Sequence, residues 1–300
     1  MLKIAFHPDY VLKLPEGHRF PMEKYELLPK QLLHEGIVEH EAFFEPKYPE
    51  EKYILNVHTP FYLDNLQKLN LDRKAILKMG FPLTEALVKR EMLMVGGTIE
   101  SAKYALQTGI GLNIAGGTHH AYPGHAEGFC LLNDHAIAAR YLQSKGLAEK
   151  ILIIDLDVHQ GNGTAKIFEN DLNVFTFSMH AANNYPFKKE KSDLDIALKD
   201  HTKDEQYLQT LKNYLPQLLN HYHPDFIFYQ SGVDILASDR LGRLNCSLEG
   251  IKERDRFVFQ LCKKRKIPVQ CSMGGGYSPE IKDILNAHAN TFRVAAELYQ

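Results

Sequence analysis

The chain has 300 residues, 44% hydrophobic and 24% charged, the balance of an ordinary globular protein. Thirty-five Lys and Arg against 37 Asp and Glu leave a net charge of −2, which argues against non-specific binding to nucleic acid or anionic membranes. Four cysteines without CxxC pairing (Cys130, Cys246, Cys262 and Cys271) suit reduced thiols in a cytoplasmic protein. No signal peptide or membrane-spanning run is visible, Met1–Phe6 being too short.

No repeat, low-complexity segment or linker interrupts the sequence, so one domain over residues 1–300 is expected. Met1–Phe6 reads as a first strand. A Pro-punctuated loop with Gly17-His18-Arg19-Phe20-Pro21 precedes a helix over about Glu23–Glu35, and residues 46–82 mix short helices and turns. Thr98–Gln107 reads as a helix with Thr98 as N-cap and Gly109 just past its end. A strand, Gly111–Ala115, runs into Gly116-Gly117-Thr118-His119-His120, and Asn133–Lys145 is helical. Ile151-Leu152-Ile153-Ile154 is a continuous apolar run, the mark of a parallel strand buried on both faces. It ends in Asp155-Leu156-Asp157-Val158-His159 before Gln160-Gly161-Asn162-Gly163, and strand alternation would set Asp155, Asp157 and His159 on one side. A further helix and the strand Val174–Ser178 follow. Then come a long helix Glu205–Tyr222 despite Pro216, and a strand Asp225–Tyr229 leading into Ser231-Gly232-Val233-Asp234. The helix Glu249–Arg265 ends in the basic run Lys263-Lys264-Arg265-Lys266, read as a solvated terminus. The strand Ile267–Gln270 runs into Met273-Gly274-Gly275-Gly276-Tyr277, and Pro279–Leu298 is the last helix.

Strands alternating with helices predict an α/β fold with a mainly parallel sheet, whose ligands bind along the carboxyl edge. His119-His120, Asp155/Asp157/His159, Asp234 and Tyr277 all follow strand ends. Two carboxylates at the end of a buried strand stay ionised only beside a cation or strong donors. Asp157, His159 and Asp234 offer two oxygens and a nitrogen, and three protein ligands with an open position describe a catalytic zinc. The structural alternative for Asp234 is a cap for the loop 235–242. His119 and His120 read either as further ligands or as imidazoles flanking a metal-bound water, one accepting a proton and one acting electrostatically. The Tyr277 phenol can donate to a developing oxyanion or anchor its loop. Gly128-Phe129-Cys130 reads as the wall of a narrow apolar channel or as core packing.

Five blocks, in order, resemble the zinc-dependent histone deacetylase family over almost the whole chain. They are Gly117-Thr118-His119-His120, Gly128-Phe129-Cys130-Leu131-Leu132-Asn133-Asp134, Asp155 through Gly163, Gly232-Val233-Asp234, and Gly274-Gly275-Gly276-Tyr277. Asn162 after Gln160-Gly161, and Asp239-Arg240-Leu241-Gly242 after Asp234, look most like the class IV branch. The resemblance implies a three-layer arginase–deacetylase fold, a central parallel sheet of about eight strands flanked by helices. It implies a hydrolase of linear amide bonds that removes acetyl or longer acyl groups from N-acyl lysine. One Zn2+ per chain would be held by Asp157, His159 and Asp234. His120 would be general base and later acid, His119 the electrostatic partner held by Asp155, and Asn162 the residue behind His120 where class I has Asp. Tyr277 would bind the acyl carbonyl oxygen, Gly128 and Phe129 the substrate stem, and Arg19 would lie near the acetate-release cavity. A structural K+ or Na+ would sit at Asp155, Asp157, His159, Ser178 and Met179, and a second, more distant cation at Phe168, Asp171 and Val174. The Asp of the class I rim loop is missing from Gly80-Phe81-Pro82-Leu83-Thr84. Expected substrates are an acyl-lysine protein or peptide, or an acylated small amine as in acetylpolyamine amidohydrolases, with neither nucleic acid nor membrane as partner. A binuclear-manganese ureohydrolase would need a carboxylate that Gly117-Thr118-His119-His120 lacks. A zinc-binding acyl-lysine recognition protein without turnover would not need an intact His120 and Tyr277.

Overall fold

The structure, a computed structural model, describes residues 2–300; Met1, the first residue of the expected opening strand, lies outside them. In chain order the strands are β1 (Ile4–Ala5), β2 (Phe43–Phe44), β3 (Ile110–Asn113), β4 (Ile151–Asp155), β5 (Val174–Ala181), β6 (Leu194–Leu198), β7 (Phe226–Gln230) and β8 (Val269–Ser272). The α-helices are α1 (Lys24–His34), α2 (Glu51–Ile54), α3 (Pro60–Gln67), α4 (Arg73–Met79), α5 (Glu85–Thr108), α6 (Asp134–Ser144), α7 (Asn162–Ile167), α8 (Asp204–Tyr222), α9 (Leu248–Arg265) and α10 (Ile281–Tyr299). Among the described residues the strands form one eight-stranded sheet in the order β2-β1-β3-β8-β7-β4-β5-β6, parallel throughout. Among the described residues no helix is long and apolar enough to cross a membrane.

The four strands whose ends carry the expected chemistry, β3, β8, β7 and β4, are contiguous at the centre of this order. The reason is compositional. Every residue of these four strands is buried, so both faces need helix cover and the strands cannot lie at an edge. Ligands gather outside the carboxyl ends of such strands.

Three expectations need correction. Thr98 is not an N-cap: α5 starts at Glu85, with the Thr84 side chain accepting from Leu87 N, and runs through Thr98. The pair Gly96-Gly97 lies inside this helix and serves close packing. A Cβ on Gly96 would stand 1.8 Å from the Lys47 carbonyl oxygen, so only glycine lets that backbone lie against the helix. The second correction concerns Asp157 and His159. Strand β4 ends at Asp155, so they share a site through a loop and not through strand alternation. The third is the edge of the sheet. β2 and β6 were not read from the sequence, since the first has two residues and the second is mostly half-exposed. The remaining helices agree with the sequence reading within a few residues, including α8 across Pro216 and α6 with its Asn133 cap.

A fully buried arginine supports the central loops from behind. Arg254 on α9 donates to the carbonyl oxygens of Gly232 (2.6 Å), Ser231 (3.1 Å) and Leu156 (3.3 Å), and its Nε meets Asp255 Oδ1 at 2.8 Å. These carbonyls belong to the loops that follow β4 and β7. Arg254 therefore ties the segments carrying Asp157 and Asp234 to one helix.

The Gly96 contact yields a sign reversal that can be measured. Ala is favoured over Gly by about 1 kcal/mol in a helix interior. Gly96→Ala is nevertheless expected to lower the thermal midpoint, because the added methyl must displace the Lys47 backbone. A stabilised Gly96→Ala protein would show that the contact is not made.

Candidate active site and metal centre

The loop after β4 is wound by its own carboxylates. Asp157 N donates to Asp155 Oδ1 (3.1 Å), and His159 N donates to Asp157 Oδ1 (3.0 Å). Two successive side-chain turns of this kind bend the chain so that Asp157 and His159 face the same point. From the loop after β7, Asp234 arrives with Oδ1 fixed by Val158 N (2.9 Å). Asp157 Oδ2 accepts from Gly275 N (2.8 Å), in the loop after β8. Glycine is required there, because a Cβ at 275 would stand 2.0 Å from Asp234 Oδ2.

Asp157, His159 and Asp234 are buried, and each can offer one ligand atom so that all three lie within 4.8 Å of one another. His159 Nδ1 is 3.0 Å from Asp157 Oδ1 and 3.1 Å from Asp234 Oδ2. Burial opposes charge on the imidazole, but the hydrogen bonds to Asp157 and Asp234 outweigh it and raise His159 to about 10. Burial, with the charge of Asp157 added, pushes the Asp234 carboxyl up to about 7. The cluster thus calls for positive charge at its centre, and an oxygen–nitrogen–oxygen donor set suits a divalent transition metal.

Beside this cluster stand the two histidines. His119 Nδ1 donates to Asp155 Oδ2 at 2.7 Å. Burial acts against the charged ring, but the neighbouring carboxylates Asp155 and Asp157 hold the His119 pKa above its ordinary value. His120 Nδ1 lies 2.6 Å from Asn162 Oδ1. The amide's other end fixes its orientation, because Asn162 Nδ2 faces the Glu127 carboxylate (3.2 Å) and Tyr122 Oη (3.1 Å). A carboxylate only accepts, so the oxygen must face His120 and accept its Nδ1 proton. In a neutral ring Nε2 is then free of hydrogen. Burial, together with the charges of His119 and His159, holds His120 well below the ordinary histidine value.

Glu127 was missed by the sequence reading, although it abuts Gly128. It is buried and accepts from Tyr185 Oη and Lys78 Nζ, with His125 Nε2 at 3.4 Å. Burial works to raise its pKa, but hydrogen bonds from His125, Lys78 and Tyr185 pull it down to about 2. The negative charge that Asn162 lacks is therefore present one residue further out. Tyr185, in the loop after β5, also packs against His120, with ring centroids 5.2 Å apart. Nothing in its local sequence marks it.

A cavity of about 790 Å³ opens onto these groups and falls in the usual range for small-molecule sites. Gly128, Phe129, Phe20, Tyr185 and Tyr277 line it above His119, His120, Asp157 and His159. Phe129 is held by its N–H on the Met79 carbonyl (2.8 Å) and by the rings of Phe20 (5.3 Å) and Phe81 (5.2 Å). Both readings of this block hold: Phe129 is a wall and also packs. Phe81, in the stretch without the rim Asp, braces that wall. The Tyr277 backbone N–H is anchored on Asp239 Oδ2 (2.6 Å), while its hydroxyl makes no hydrogen bond among the described residues.

Arg19 lines the cavity only at its opening. It is exposed at the mouth, its guanidinium 5.3 Å from the Phe129 ring centroid, because its loop runs over the surface. Five residues on, Lys24 is buried; it lies on the Leu28–Leu32 stripe of α1, and that helical spacing was the available signal. Lys24 Nζ donates to the Gly274 carbonyl (3.2 Å) and lies 5.6 Å from the Tyr277 ring centroid. Burial lowers its pKa to about 8 against the pull of Asp234 and Asp157. At the second expected monovalent-cation position, the carboxylate of Asp171 is engaged by the protein itself. Asp171 Oδ2 already meets Arg140 Nη2 at 2.6 Å, and Oδ1 accepts from Asn173 N (2.8 Å) and Val174 N (3.0 Å). At the first position the sheet register sets Asp155 beside Ser178, with buried Met179 next in the strand.

Residues 18–292 match the model of the Histone deacetylase domain. The chain belongs to the histone deacetylase family. It is similar to an uncharacterized protein of Picosynechococcus sp., 45% identical over 296 residues and 99% of each chain. Histone deacetylase 2 of Arabidopsis thaliana is 32% identical over 272 residues, 87% of this chain and 70% of that one. The acetoin utilization protein AcuC of Staphylococcus aureus is 28% identical, covering 92% of this chain and 74% of that one. Among solved structures, an HDAC homolog complexed with SAHA superposes with a TM-score of 0.82 at 24% identity, over 99% of this chain and 84% of that one. The HDA15 HD domain also gives 0.82, at 22% identity, over 97% and 90%. The two structures establish the fold, an eight-stranded parallel sheet flanked by helices. Family membership makes the chain a hydrolase of the deacetylase kind, acting on acetyl amides.

The ligand geometry is testable without turnover. Asp157→Ala and Asp234→Ala are each expected to weaken Co2+ or Zn2+ binding by at least ~100-fold, more than removal of a residue behind a ligand costs. Asp171→Asn should leave it unchanged. Competition against a chelator measures all three. Equal affinity in wild type and Asp234→Ala would remove Asp234 from the metal site.

Proposed function

We propose that this chain is a zinc-dependent N-acyl-lysine amidohydrolase. One observation carries the reading. Three buried ligand atoms converge on the floor of an aromatic-walled cavity, beside a histidine whose ring tautomer is fixed by Asn162 and a tyrosine whose hydroxyl is unengaged. When bound, zinc supplies Lewis acidity toward the acyl carbonyl and makes water acidic enough to attack near neutral pH. The protein's own groups do the rest. His120 Nε2 takes the proton of the attacking water, and its lowered pKa keeps it neutral and able to do so. His119 is held on Asp155, and the neighbouring carboxylates favour positive charge on its ring beside the reacting centre. Tyr277 Oη donates to the oxygen on which negative charge develops. His120 then returns its proton to the departing amine. Gly128, Phe129 and Phe20 line the channel for the aliphatic stem. A K+ or Na+ beside Asp155, Ser178 and Met179 would be structural. On Asn162 and Asp239-Arg240-Leu241-Gly242 we place the chain nearest the class IV branch, and its cysteines favour a cytoplasmic setting.

If Tyr277 acts mainly in the transition state, Tyr277→Phe lowers kcat on an acetyl-lysine peptide by roughly a hundredfold or more, with a smaller change in KM. An unchanged kcat would leave Tyr277 as a loop anchor and remove it from the chemistry.

The pH profile tests His120. A base is lost when it is protonated, so a lowered pKa sets the acidic limb of kcat/KM below the ordinary histidine value of about 6.5. A carboxylate at 162 favours the imidazolium and should move that limb to higher pH. Asn162→Asp alone would also set a carboxylate against Glu127, so the cleaner comparison is Asn162→Asp with Glu127→Gln. A limb that stays put in the double variant would show that His120 is not the titrating base.

A further inference from the structure

Three surface loops form the mouth of the cavity: the one holding Arg19, the one after β5 holding Lys188, and the one after β7 holding Arg240. Each of these cations lines the cavity and is exposed, and none is paired with a carboxylate among the described residues. Arg243, also lining it, meets Asp200 at 3.3 Å. The acids of the cavity are not available to balance them. Glu127 is buried under Lys78, and Asp157 belongs to the metal cluster. Asp239 adjoins Arg240 but turns inward, its oxygens accepting from the backbone N–H groups of Leu241 (2.8 Å), Gly242 (2.9 Å) and Tyr277 (2.6 Å). Phe187, 87% exposed, gives the same rim an apolar contact beside Lys188.

A net charge of −2 over the whole chain therefore coexists with an unbalanced positive ring around one opening. A concave mouth with low-dielectric walls focuses such a field and raises the local concentration of the oppositely charged substrate. We infer that the mouth selects acyl-lysine segments flanked by Asp or Glu and rejects polycationic amines, so that acetylpolyamines are poor substrates. This inference rests on the amidohydrolase reading above and supplies its substrate class. The stretch 80–84 contributes no carboxylate to the rim that would hold a cationic partner, in keeping with this selection.

The experiment uses the metal-loaded enzyme and three acetyl-lysine peptides of one length, flanked by Glu, Gln or Lys, with N-acetylspermidine as a fourth substrate. Single exposed ion pairs are weak, but three cations acting together should give the Glu peptide about a tenfold higher kcat/KM than the Lys peptide at low salt. The ratio should shrink as salt is raised, since the Debye length falls from about 30 Å at 0.01 M to about 10 Å at 0.1 M. It should approach one in Arg19→Gln/Lys188→Gln/Arg240→Gln, whose folding is followed by its thermal midpoint. Binding of the same peptides, fluorescently labelled, is measured in parallel. If no peptide is turned over, the amidohydrolase reading fails, while the binding ratio still decides the rim. A Lys peptide or acetylspermidine preferred over the Glu peptide would overturn the inference. So would a ratio indifferent to salt or to the triple substitution.

Discussion

Two buried carboxylates converging on one point form the interaction on which the rest of the structure depends. Asp157 and Asp234 offer oxygens within 4.8 Å of each other. Like charges at that distance repel by roughly 3–4 kcal/mol even at an effective dielectric of about 20, before any desolvation is counted. Their oxygens are held by the N–H groups of Val158, His159 and Gly275, and His159 presents its nitrogen between them. The glycine at 275 leaves room for Asp234 Oδ2, and Arg254 fixes the carbonyls of the two carrying loops from the opposite side. The sheet order supplies the remaining condition, since β4, β7 and β8 are adjacent and their loops meet. Each device opposes the repulsion or directs it toward a cation.

Most of this was legible in the sequence because strand ends announce themselves. An apolar run that stops in Asp-x-Asp-x-His, or a strand that ends in Gly-x-Asp or Gly-Gly-Gly-Tyr, carries its chemistry at a position that the parallel-sheet rule places at one edge. What remained hidden was of another kind. Glu127 and Tyr185 act on His120 through Asn162 or by ring packing, and such contacts join loops distant in sequence with no spacing to betray them. Lys24 and Arg254 look like ordinary helical surface residues until the helix face is known. Arg19 was misplaced because a motif near the chain start does not say which of two cations, five residues apart, enters the core. Thr98 was misread because Thr is a common N-cap, whereas here it lies inside α5, where Gly96 admits the Lys47 backbone and Gly97 faces side chains.

Floor and mouth obey different physics. The floor is buried, its groups are fixed by short hydrogen bonds, and a displaced atom there leaves a buried charge without a partner. At the mouth Arg19, Lys188 and Arg240 are solvated, so each contact is weak and screened by salt. The floor therefore sets which bond breaks, and the mouth sets which molecules arrive. Family membership speaks to the first, whereas the second belongs to this chain's own loops.

The most direct measurement is a zinc titration of catalysis on chelator-stripped protein, following acetate release from an acetyl-lysine peptide. Convergence of Asp157, His159 and Asp234 on one cation requires activity to rise in proportion to added metal and stop at one equivalent per chain. Full activity without metal, or a rise that continues to two equivalents, would contradict a single-ion site at this point of the fold.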